Sequence, residues 1–102
     1  MEENVSKPNN IEEISREIIR YLEGIVNEEI LVSPSDRLND VFNDSASIQS
    51  LGLSGVKLEF ASFIETEYKI SINKISAYKN RDLTVYDVAK MIYGELQRRN
   101  AT

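Results

Sequence analysis

The chain has 102 residues and 41% hydrophobic content, enough for one domain burying roughly 60–65% of its unfolded surface, and too little for two. It contains neither cysteine nor histidine, which removes disulfides, thiolate chemistry, the usual general base and the commonest transition-metal ligands. Seventeen acidic against twelve basic residues leave a net charge of −5, which disfavours nucleic acid and favours partner surfaces rich in Lys and Arg.

Residues 1–10 are polar, contain Pro8 and offer nothing to bury, which predicts a flexible N-terminal tail. No secretory leader and no stretch of about 18 apolar residues is visible, so the expected compartment is the cytoplasm and no membrane partner is expected. Asn10 followed by Glu13 reads as a helix start. From there Ile11, Ile14, Ile18, Ile19, Leu22, Ile25 and Val26 recur at helical spacing, with Glu12, Glu13, Arg16, Glu17 and Arg20 opposite.

From about Asn27 to Leu53 no period is sustained, and Pro34, Gly52 and many Ser, Asp and Asn residues predict a long loop. Ile30, Leu31, Val32, Leu38, Val41, Phe42, Ile48, Leu51 and Leu53 are expected to pin it to the core, since unanchored loops of this length are unusual in a compact domain. Short helical turns between Asp44 and Ser50 would stop at Gly52. Asp36, Asp40 and Asp44 are spaced by four rather than alternating, and no glycine lies between them, so no calcium or other metal site is expected.

After Ser54, the positions Val56, Phe60, Phe63, Ile64 and Tyr68 predict a second helix of about four turns, with Lys57, Glu59, Glu65 and Glu67 outside and Leu58 off the buried stripe. Ile70 and Ile72 read as an extended connector, and Ile75 to Tyr78 as a short third helix. Thr84 followed by Asp87 is a capping-box variant that starts the last helix near Val85, and Arg98-Arg99 suit a helix C-terminus. The domain is expected over 11–97, followed by a C-terminal tail, 98–102.

This order of elements, with Leu51-Gly52-Leu53-Ser54 opening a helix that ends at Tyr68 and Leu83-Thr84-Val85 opening the last one, resembles the acyl and peptidyl carrier proteins. The resemblance covers about residues 11–97. It implies an all-α, four-helix bundle, three main helices plus one short, with a long loop between helices one and two. It also implies a serine that carries 4'-phosphopantetheine through a phosphodiester.

In the family an aromatic residue follows the serine by about fourteen positions, and counting back from Tyr68 selects Ser54. Aligning Gly55 with that serine instead needs a deletion inside the helix, which would rotate the remaining apolar stripe by about 100°. The family's Asp-Ser-Leu is replaced here by Leu53-Ser54-Gly55, and both flanking departures bear on recognition by the loading transferase. Asp44-Ser45 keeps the Asp-Ser order and makes Ser45 the other candidate, at the cost of extra residues in the helix across Gly52.

The resemblance implies a carrier that holds acyl or aminoacyl groups as thioesters in fatty acid, polyketide or nonribosomal peptide assembly, without itself being an enzyme. Its partners would be a phosphopantetheinyl transferase, acyl or aminoacyl ligases or transferases, and ketosynthase-type enzymes; the carrier would be a monomer. Leu58, Glu59, Glu65 and Glu67 would form the docking face, although three glutamates on a helix equally read as a solvated surface, and Ser54 as a plain helix cap. Two alternatives stay open: a similarly folded interaction adaptor without the prosthetic group, and an unrelated acidic helical bundle.

Overall fold

The first apolar stripe folds as α1, Ile11–Ile25, in a computed structural model that describes residues 10–26, 29–70 and 83–100. Asn10 Oδ1 accepts the Glu13 N–H at 2.8 Å and fixes where the helix begins. Ile14, Ile18 and Leu22 are wholly buried, each worth about 1.5–3 kcal/mol of apolar burial. Ser15 also lies on the buried side.

The segment read as a long loop contains a helix of its own, α2, Leu38–Asn43. Its signal is short: Leu38, Val41 and Phe42 stand at i, i+3 and i+4 and are all buried, too few positions to register as a period. Val32 is buried as expected, whereas Leu31 is 84% and Leu51 43% exposed, so neither anchors the loop.

Much of the anchoring is done by backbone hydrogen bonds, which leave no mark in an apolar pattern. Leu38 N–H donates to Leu83 O at 2.8 Å, Val85 N–H to Asp36 O at 3.0 Å and Tyr86 N–H to Pro34 O at 2.9 Å, tying the loop to the start of the last helix. Ala46 N–H reaches Ile25 O at 2.8 Å, and Glu23 accepts the Val32 N–H at 2.9 Å. The Asp36 carboxylate accepts both the Ser33 N–H and the Ser33 hydroxyl and closes that turn.

The third helix, α3, spans Ile48–Tyr68 and is broken at Gly52. Val56, Phe60, Ile64 and Tyr68 are buried along it, as the spacing predicts. It ends at Lys69, a non-glycine residue held left-handed (φ 58°, ψ 37°) whose N–H donates to Glu65 O. Ile70 is buried beyond it, while Ile72 and the short helix expected at Ile75–Tyr78 lie outside the described residues.

The last helix, α4, runs Val85–Asn100 and packs along α1, while α2 packs on α3. Its capping box is reciprocal: Asp87 N–H donates to Thr84 Oγ1 and Thr84 N–H to the Asp87 carboxylate, both at 3.1 Å. The helix continues past residue 97. Arg99 donates to Tyr68 O at 3.3 Å and also to Lys69 O, so this last-turn cation serves the carbonyl end of α3. The described residues thus form an all-α bundle of three long helices and one short one, with the short one placed in the first connection.

Candidate functional site

Gly52 determines how the candidate serine is presented. Its φ of 71° and ψ of 173° lie in a region open essentially to glycine alone, and this single residue separates the turn Ile48–Leu51 from the main run of α3. Helical geometry resumes at Leu53, so Ser54 is the second residue of the resumed helix and is exposed to solvent. Leu53, immediately before it, packs against the core.

Gly55 has a steric reason to be glycine. A Cβ built there would stand 2.7 Å from Leu51 Cβ, closer than such atoms approach in real proteins, because the turn before Gly52 folds back over the first turn after it. Leu51 therefore occupies the place that a side chain at position 55 would take. One turn on, Leu58 is 70% exposed.

The other candidate, Ser45, is buried at 4% exposure. Its hydroxyl accepts the Ser47 N–H at 3.0 Å and its carbonyl accepts the Ile48 N–H, so it shapes the entry to α3. Of the two serines, only Ser54 is exposed to solvent.

The expected docking residues do not share one face. At about 100° per residue, Leu58 and Glu65 fall within about 40° of Ser54, whereas Glu59 and Glu67 are turned about 140° away to either side. Glu59 raises the Tyr21 phenol above its ordinary pKa, an effect second to that of burial. Glu67 lines a shallow groove between α1 and α3 together with Glu17, Arg20, Tyr21 and Phe63.

That groove was not legible as a unit. Tyr21 stacks on Phe63 with ring centroids 4.2 Å apart, and Glu17, assigned by its spacing to the polar face of α1, accepts a hydrogen bond from the Tyr68 hydroxyl at 2.7 Å. Burial first, and then this hydrogen bond, push the Tyr68 phenol well above its ordinary value of 10.0. The only sequence signal was an aromatic residue beside the α1 stripe.

Among the described residues no cluster of three or more acidic side chains is arranged to hold a metal ion, and no helix is long and apolar enough to cross a membrane. No protein-family model, curated protein or solved structure matches this chain.

Proposed function

We propose that this protein is an acyl carrier, loaded on Ser54 with 4'-phosphopantetheine, that presents acyl or aminoacyl groups to the enzymes of a fatty acid, polyketide or nonribosomal peptide pathway. The observation that carries the reading is the exposed Ser54 hydroxyl in the first turn of a helix restarted by Gly52, while Ser45 is buried and locally bonded. An all-α bundle with a long, pinned first connection supports it as well.

The residues around Ser54 suit the group. A phosphodiester at this position would lie near the positive end of the resumed helix, an advantage of about 0.3–1 kcal/mol. Leu53 and Gly55, which depart from the family's pattern, both have local structural reasons: the first joins the core, and the second yields to Leu51. When bound, the arm supplies a terminal thiol that holds the cargo as a thioester. The chain's own part is to anchor the phosphodiester on Ser54 Oγ and to leave that oxygen accessible.

Incubation with coenzyme A, Mg2+ and a broad-specificity phosphopantetheinyl transferase, followed by intact mass measurement, tests the reading. The Ser54 oxygen–phosphorus bond forms as the pyrophosphate linkage of coenzyme A breaks; adenosine bisphosphate leaves, and the hydroxyl proton passes to the transferase. The wild-type chain should gain the mass of one arm and Ser54→Ala should not. Loading that survives in Ser54→Ala but is lost in Ser45→Ala would move the site, and an unmodified wild type would leave the adaptor reading in its place.

A further inference from the structure

Position 55 has no side chain, yet the surface there is not bare. The Leu51 Cβ, Cγ and Cδ2 atoms lie 2.7, 3.7 and 3.8 Å from where a Cβ of residue 55 would be, and the leucine remains 43% exposed. An enzyme that reaches Ser54 Oγ must cover the first turn of the resumed helix. It therefore meets Leu51 on one side of the hydroxyl and Leu58, 70% exposed, a turn further on. Two exposed leucines beside a reactive hydroxyl, on a chain of net charge −5 with Glu65 on the same stripe, suit a partner with an apolar slot rimmed by Lys and Arg.

We infer that Leu51, folded back across the Gly52 break, is the apolar contact by which the enzyme that modifies Ser54 recognises this chain, in the place where a side chain at position 55 would otherwise stand. The inference rests on the carrier reading and names a determinant of the loading step. Gly52 and Gly55 act together in it. The first permits the reversal, and the second leaves room for the leucine.

The test is the steady-state rate of loading by the same transferase, read by mass, with folding checked by circular dichroism and thermal melting. Leu51→Ala should melt near the wild-type temperature, because the side chain is half exposed, and should lower kcat/KM for the carrier about tenfold, mainly through KM. The double variant Leu51→Gly with Gly55→Leu moves the leucine onto position 55 and removes the colliding Cβ; it should recover most of the loss. Leu51→Ala loading at the wild-type rate overturns the inference and leaves the carrier reading intact, as does a folded double variant that does not recover. Failure of the wild type to load overturns both.

Discussion

The two halves of α3 put similar residues to opposite uses. From Phe60 to Tyr68 the helix buries Phe60, Ile64 and Tyr68, stacks Phe63 on Tyr21 and is tied to α1 through Tyr68 and Glu17, and to α4 through Arg99. From Ile48 to Leu58 it is broken by a glycine, leaves Leu51 and Leu58 exposed and carries the accessible serine. The difference teaches that one helix can bury its aromatic end while its glycine-broken end stays largely open to solvent. The aromatic half ties α3 to α1 and α4, and the glycine-containing half, which still buries Val56, leaves Leu51, Ser54 and Leu58 exposed.

Phe60 gives the sharpest test of that division. It is wholly buried, with the rings of Phe42 at 5.4 Å, Tyr21 at 6.0 Å and Phe63 at 6.3 Å, so Phe60→Ala should cost about 3–5 kcal/mol in urea unfolding. A loss under about 1 kcal/mol would erase the contrast between the halves. Gly52→Ala probes the other half. Nothing lies within 4 Å of the added Cβ, so the penalty is conformational, about 1–3 kcal/mol, and urea unfolding should show it without any cavity or clash being made.

The smallest effect belongs to the link between Tyr68 and Glu17. Tyr68→Phe removes one hydrogen bond to a partly exposed carboxylate and should cost about 1 kcal/mol near neutral pH. The fold favours the protonated phenol, so its contribution is fully present below 10.0, the ordinary value in unfolded chains, and declines as pH rises above it. Unfolding curves from pH 8 to 11 should therefore show stability falling at the alkaline end, less steeply in Tyr68→Phe. Tyr21, whose pKa is also raised, keeps some of the slope in that variant.

Long periodic segments were legible. The stripe Ile14, Ile18, Leu22, the stripe Val56, Phe60, Ile64, the Asn10 cap and the Thr84 to Asp87 box all appear where their spacing puts them. The short helix α2 was not, because three apolar positions in six residues look like any loop. Of the candidate site, the exposure of Ser54 and Leu58 followed from helix phase. The placement of Leu51 over Gly55 did not, since it depends on the backbone turning at Gly52.

Sequence by itself determined which faces of α1, α3 and α4 are apolar and where α1 and α4 begin, since periodicity and caps act over a few neighbouring residues. Only the tertiary structure decided that Ser45 is buried, that Leu51 covers Gly55, that Glu17 is bonded to Tyr68, and that Arg99 serves a helix other than its own. These outcomes depend on contacts between residues distant in sequence and on one glycine's dihedral angles, and no local pattern encodes either.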